Sequence, residues 1–167
     1  MSQGAGPLLA VEDLSVAFAS GAGELAAVDG VGFSIGEGEV MALVGESGCG
    51  KSVTSLAIMG LLPRPVARIP RGRILFRDAE GAELDLVALP ERRMRRMRGN
   101  ALAMIFQEPM TSLNPLERIG DQVAEPLVTH RAMGWAAARD MAGDLLAQVG
   151  LPDPGKKLEA FPHELSG

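Results

Sequence analysis

Residues Glu39–Met59 read EVMALVGESGCGKSVTSLAIM. An apolar run, Val40 to Val44, enters a turn made of Gly45, Glu46, Ser47, Gly48, Cys49, Gly50, Lys51 and Ser52, and a helix-compatible run follows from Lys51 to about Leu61. The turn fits G-x-x-x-x-G-K-[ST] at every fixed position, in the strand–loop–helix setting that gives this motif its meaning. Gly45, Gly48 and Gly50 allow backbone angles that a side chain forbids. Successive N–H groups then form a nest for phosphate oxygens, and the helix N-terminus adds unsatisfied donors and positive potential beside it. Lys51 is the mobile cation for terminal phosphates, the Ser52 hydroxyl is placed for Mg²⁺, and Val53 continues the first turn. Lys51 is also the first Lys or Arg in the chain, and Arg64 is the next. A charge so isolated beside glycines is not a solvated basic face.

Outward from this stretch, the composition sets bounds. The chain has 167 residues, 47% hydrophobic and 22% charged, which describes one globular domain of ordinary size rather than a disordered segment. A formal charge of −5 argues against general nucleic-acid binding. The single cysteine, Cys49, excludes an intrachain disulfide and suits a reducing compartment. The N-terminus lacks a basic stretch followed by a long apolar core, so no signal peptide is expected. No apolar run reaches the roughly 18 residues of a membrane span. These features predict a cytoplasmic protein, soluble or peripherally attached.

Before the motif, Leu8 to Phe18 and Leu25 to Ile35 read as strands around a glycine turn, hence an antiparallel pair. Val40 to Val44 reads as a buried strand. After it, Pro63, Pro65 and Pro70 predict an extended connection. Gly72 to Arg77 and, more weakly, Leu84 to Leu89 read as strands, and Pro90 to Met97 as a short helix with proline at its start. Ala101 to Phe106 (ALAMIF) is a continuous apolar run, expected as a second buried strand ended by Gln107. Pro109, Asn114 and Pro115 mark a loop. Ile119 to His130 and Trp135 to Val149 have helical spacing, and Pro152, Pro154 and Gly155 read as a break.

The ordered set of glycine loop, AMIFQEPMTSLNP (Ala103 to Pro115), following helices and terminal Leu165, Ser166 and Gly167 resembles the ATP-binding subunit of ABC transporters. FQEPMTSLNP, AVDGVGFSI (Ala27 to Ile35) and FPHELSG (Phe161 to Gly167) resemble the subfamily serving dipeptide, oligopeptide and nickel importers. The likeness runs from Leu8 to Gly167. It implies an α/β P-loop NTPase fold of the ABC ATPase type, with an antiparallel β subdomain and phosphate-loop core over about 8–107. The glutamine loop and helical subdomain would occupy 108–167. It further implies that Gln107 contacts Mg²⁺ and the attacking water, and that its loop touches a transmembrane subunit. Phe18 matches the aromatic that stacks on adenine, and equally suits an inward core position. Leu165, Ser166 and Gly167 open the signature motif.

The departures matter as much. After Ser52 there is no apolar strand ending in Asp and Glu, and no switch histidine; LLAVED (Leu8 to Asp13) precedes the loop and belongs to the first strand. The signature motif of the family continues beyond Gly167. The expectation is therefore the N-terminal part of a nucleotide-binding domain, with part of the core sheet missing. Apolar faces would be exposed, and the 167-residue chain alone would not hydrolyse ATP at a transporter-like rate. The intact form would bind ATP and Mg²⁺ and pair with a second ATP-binding subunit. It would drive transmembrane subunits served indirectly by a solute-binding protein, at the cytoplasmic face of the membrane. Two rivals stand beside this: a nucleotide-binding fragment with no independent activity, and a small-molecule kinase, which leaves FQEPMTSLNP unexplained. Other features read blandly. Arg92 to Arg98 is a solvated helix face over Met94 and Met97, Cys49 a space-filler, Trp135 packing, and His130 and His163 lack metal-ligand partners.

Overall fold

Alternating apolar residues in Leu9–Ser20 form strand β1, which pairs antiparallel on both sides. On one side lies β2 (Gly23–Ile35), joined to it by the glycine turn that the sequence predicts, and on the other β3 (Ala67–Arg77). A three-residue strand, β4 (Glu83–Asp85), completes an antiparallel sheet of order β2-β1-β3-β4. The structure, a computed structural model, describes residues 6–21, 23–107 and 112–165. Two compact units emerge, Met1–Ala101 and Leu102–Gly167.

In the first unit the core lies on the sheet: Leu14, Val16 and Ile74 are fully buried, with Val11, Val28 and Phe76 around them. β1 is kinked. Asp13 has φ 48°, and the register shifts between Val11 and Leu14. Gly72, at φ +102°, faces the kink, where a Cβ would stand 2.5 Å from the Leu14 Cα. Only glycine lets the two backbones approach so closely. β3 starts at Ala67, earlier than the expected Gly72, because Pro70 falls at a break in the β1–β3 register where no ladder donor is required. β4 ends at Asp85 rather than reaching Leu89. The Asp85 carboxylate accepts hydrogen bonds from the Ile74 and Val87 amides and turns the chain away. Two helices belong to this unit, α1 (Lys51–Ile58) and α2 (Glu91–Met97), the latter entered through Pro90.

The second unit holds α3 (Ile119–Arg131), α4 (Trp135–Gln148) and α5 (Pro154–Glu159). Ala124, Leu127, Ala138 and Ala142 form its core, with Val123, Val128, Met133 and Leu158 packed against them. Small residues on the facing sides let α3 and α4 approach closely, and Leu158 of α5 closes over Gly120. Arg139 of α4 pairs with Asp121 at 3.0 Å and also with Glu159. The expected break at Pro152 to Gly155 is instead the start of α5: Asp153 has φ 51°, and Pro154 occupies the first helical turn, where a missing N–H costs nothing.

Two expected strands do not form. Val40–Val44 forms no strand, the expected Ala101–Phe106 strand is reduced to an isolated bridge at Leu102, and Val40, Val44 and Ile105 are 95%, 86% and 93% exposed. Both are apolar enough for buried strands, but no described strand offers either of them a partner ladder, and a lone strand leaves its backbone to water. All described pairing is accordingly antiparallel. Among the described residues no helix is long and apolar enough to cross a membrane.

Candidate functional site

The glycine loop leads directly into α1, as its sequence predicts. Gly48 and Gly50 have φ +82° and +94°. Gly50 is buried against β2, where a Cβ would stand 2.6 Å from the Ala27 carbonyl oxygen and 3.0 Å from Val28. Glycine is therefore required twice at this position, by conformation and by space. Gly45 is crowded differently, with Cys49 Sγ 2.5 Å from where its Cβ would lie.

Helix α1 opens at Gly50 with no side-chain cap and no acidic residue in its first turn. The first N–H groups of a helix have no intrahelical acceptor, and here no carboxylate competes for them. Ser52 and Cys49 are exposed, and Val53 is half-buried. The Lys51 ammonium folds back over the loop, donating to the carbonyls of Gly45 and Glu46, both at 2.7 Å, and lying 3.3 Å from Cys49 Sγ. Thr54, buried, donates its hydroxyl to Gly50 O at 3.0 Å and pins the first turn. The arrangement is a glycine loop closed on β2 behind, with a cation folded over it. It fits a polyphosphate. Ser52 offers one oxygen for Mg²⁺, whose other ligands would be phosphate oxygens and water; no cluster of three acidic, His or Cys side chains occurs among the described residues.

The other expected residues are placed separately. Phe18 pairs with Leu25 of β2 and Ala67 of β3 at the turn end of β1. It is half-buried and belongs neither to the closed core nor to open solvent. Gln107 lies in the second unit and is exposed. The loop that follows it is described only from Ser112; Glu108 to Thr111 fall outside the described residues. From Asn114 the loop is bound to α3 through Gln122. The Gln122 Nε2 amide donates to Asn114 O and Glu117 O at 2.9 Å each, and its Oε1 accepts from the Asn114 amide at 2.8 Å. Nothing in the helical periodicity marks Gln122 for this task; the nearby Asn114–Pro115 turn is the available signal. Leu165 follows a short 3₁₀ turn, Pro162–Glu164, while Ser166 and Gly167 fall outside the described residues. His163 stacks on Phe161, consistent with a packing role.

The arginine run of α2 divides in two. Met94 is buried as expected, and Arg92, Arg93, Arg95 and Arg96 are exposed. Arg98, expected to be solvated, turns inward with only 18% of its side chain exposed. It donates from Nε to Met59 O at 2.7 Å and from Nη2 to Gly60 O at 2.9 Å, both at the C-terminal end of α1. Glu91 grips its other side, with Nη1 to Oε1 at 2.7 Å. That hydrogen bond holds the Glu91 carboxyl below its ordinary range; partial desolvation opposes the shift, and the charges of Arg98, Arg95 and Arg64 assist it.

A family profile described as ABC transporter matches residues 28–167. The chain is 55% identical over 161 residues to the peptidoglycan transport ATP-binding protein YejF of Agrobacterium fabrum, covering 96% of this chain and 29% of that protein. It is 50% identical over 161 residues to a putative peptide import ATP-binding protein of Brucella abortus, covering 96% and 48% of the two chains. With the dipeptide transport ATP-binding protein DppD of Bacillus subtilis the identity is 48% over 160 residues, covering 96% and 46%. The chain thus spans less than half the length of these relatives. Among solved structures, a dimeric bacterial ABC transporter cassette superposes with a TM-score of 0.78 at 22% identity, over 95% of this chain and 63% of that one. The α/β fold, antiparallel sheet plus helices, is that of part of such a cassette.

Proposed function

The chain belongs to the ABC transporter family, and from that premise we propose that it is the ATP-binding part of a peptide importer. The observation that carries this reading is the cradle between Gly45 and Ser52: a left-handed glycine pair, an uncapped helix start, and Lys51 hinged above both. In it the loop amides would hold the phosphates, Lys51 would exchange the Gly45 and Glu46 carbonyls for terminal phosphate oxygens, and the Ser52 hydroxyl would give Mg²⁺ one ligand. Bound MgATP supplies the phosphoryl group and the metal charge; the chain orients them. Phe18 stacks on adenine, and Gln107 is assigned by the family resemblance to Mg²⁺ and the attacking water. Peptides rather than nickel are proposed as cargo, because the relatives above are named for peptidoglycan, peptide and dipeptide transport. The expected partners are transmembrane subunits and a second ATP-binding subunit, at the cytoplasmic face of the membrane.

We further propose that the 167-residue chain alone binds nucleotide without turning it over at a transporter-like rate. Phosphoryl transfer depends on positioning and charge stabilisation. Lys51, Ser52 and Gln107 supply part of this, but no acidic strand end follows Ser52 to complete the Mg²⁺ shell and polarise water.

Calorimetry of MgATP binding tests the site. Lys51→Ala removes a charge-assisted contact worth roughly 1.5–3 kcal/mol, and equal affinities in two folded proteins overturn the assignment. Phe18→Ala is expected to weaken ATP more than inorganic triphosphate; equal losses return Phe18 to the core. Phosphate release from the same proteins tests the second proposal. Steady turnover near about 1 s⁻¹ that vanishes in Lys51→Ala overturns it.

A further inference from the structure

We infer that Arg98 is a positioning residue for the phosphate loop, holding α1 from its far end so that Lys51 and Ser52 meet a nucleotide in one orientation. The inference rests on the nucleotide-binding reading above. It begins with how α1 ends. Gly60, at φ +62°, takes the left-handed position, with its amide donating to Ala57 O at 3.0 Å and the Leu61 amide to Leu56 O at 2.8 Å. This paired closure satisfies the inner carbonyls of the last turn. Beyond Ile58, the carbonyls of Met59 and Gly60 are those that Arg98 takes.

The electrostatics agree. α1 has no basic residue in its own last turn, so the cation at its negative end comes from beyond α2. Its positive end carries neither a cap nor an acid. One end is therefore closed by protein and the other left for an anion. α1 has only eight residues, about 12 Å at 1.5 Å per residue. A short rigid rod of this kind carries any tilt at one end to the other. The run Val40–Val44 before the loop has no partner strand among the described residues and offers little restraint, so the far end carries more of it. Arg98 is itself oriented by Glu91, which accepts from both of its terminal nitrogens, at 2.7 and 3.3 Å. The fit leaves no slack: a Cβ on Gly60 would stand 2.9 Å from Arg98 Nη2.

A purely structural role and a positioning role separate in one experiment. MgATP affinity is measured by calorimetry on the 167-residue chain at a temperature where every variant is folded, alongside thermal unfolding. Arg98→Ala is expected to weaken MgATP roughly tenfold, a typical coupling between remote positions. Arg98→Lys recovers only part, since an ammonium keeps the charge but not the planar fork that spans two carbonyls and a carboxylate. Arg95→Ala, which removes an exposed arginine of α2, leaves affinity unchanged. The inference is overturned if Arg98→Ala lowers the unfolding temperature yet binds MgATP like wild type, or if Arg95→Ala weakens binding as much. Should Arg98→Ala not fold, Arg98→Lys and Glu91→Gln carry the test: weaker binding in both supports the inference, and unchanged binding in both overturns it. A wild-type chain without MgATP affinity sinks the nucleotide-binding reading itself, and this inference with it.

Discussion

The sheet and the phosphate-loop segment, although both lie in the first unit, are held in opposite ways. β1 is bonded along both edges and packs Leu14 and Val16 out of water. The Val40–Val44 run is as apolar as β1, but no described strand pairs with it, and Val40 and Val44 stand in water. The loop and α1 that follow are secured from outside, at Gly50 by the Ala27 backbone and at Gly60 by Arg98. An apolar run thus states a tendency toward burial, and the presence of a pairing partner decides it. The comparison also separates stability from function: substitutions in the sheet should unfold the unit, while those around α1 should act mainly on the ligand site.

The most severe test of that division is Leu14→Ala. Leu14 is fully buried beside the kink in β1, and its truncation leaves a cavity in the core of the first unit. A loss of about 2–5 kcal/mol is expected, read from urea unfolding. A loss below about 1 kcal/mol would mean that the kinked strand relaxes around the gap, and that the sheet is softer than its pairing implies.

Gly50→Ala comes next. It strains a φ of +94° and drives a Cβ to 2.6 Å from Ala27 O. The expected cost is about 1–3 kcal/mol, accompanied by loss of MgATP affinity because the loop must lift from β2. Unchanged affinity would show that the loop and β2 are not in register when nucleotide binds.

Much of this division is legible in the residues before any coordinates. The hairpin of β1 and β2 follows from alternation around a glycine turn, and the loop–helix junction from its glycine spacing. What escapes is whatever depends on partners distant in sequence. ALAMIF and VMALV announce burial by composition, but a strand is a property of a pair, and no residue within either run reports whether its neighbour is present. Arg98 closes a run of similar arginines, and only the carbonyls of Met59 and Gly60 distinguish it. Pro154 reads equally as a helix breaker or a helix start; the left-handed Asp153 before it selects the second.

A milder probe is pH, acting on the anchor rather than on the sheet. Arg98 holds the Glu91 carboxyl below its ordinary value of 4.5. A depressed carboxyl contributes stability that is complete above the ordinary value and is lost as pH falls through the depressed one. The difference in unfolding temperature between wild type and Glu91→Gln should therefore be flat at neutral pH and shrink only below about pH 4.5. Glu91 is largely exposed, so the effect is small and screened by salt. A difference that is already gone at roughly pH 6 would assign it to another group.

The smallest effect on stability is expected in the uncovered run itself, and there its absence is the informative result. Val40 is 95% exposed, so Val40→Lys removes no core contact and buries no charge. Surface substitutions of this kind usually stay within about 0.5 kcal/mol. What the lysine changes is the association of one copy with another. An extended apolar segment with unpaired backbone is a template for edge-to-edge pairing, and a charge on it opposes that pairing. Light scattering over a concentration series should show less self-association for Val40→Lys than for wild type, at the same urea midpoint. If the midpoint instead falls as far as it does for Leu14→Ala, Val40 is buried in solution. The sheet and the loop segment would then share a single core, and the contrast between them would fail.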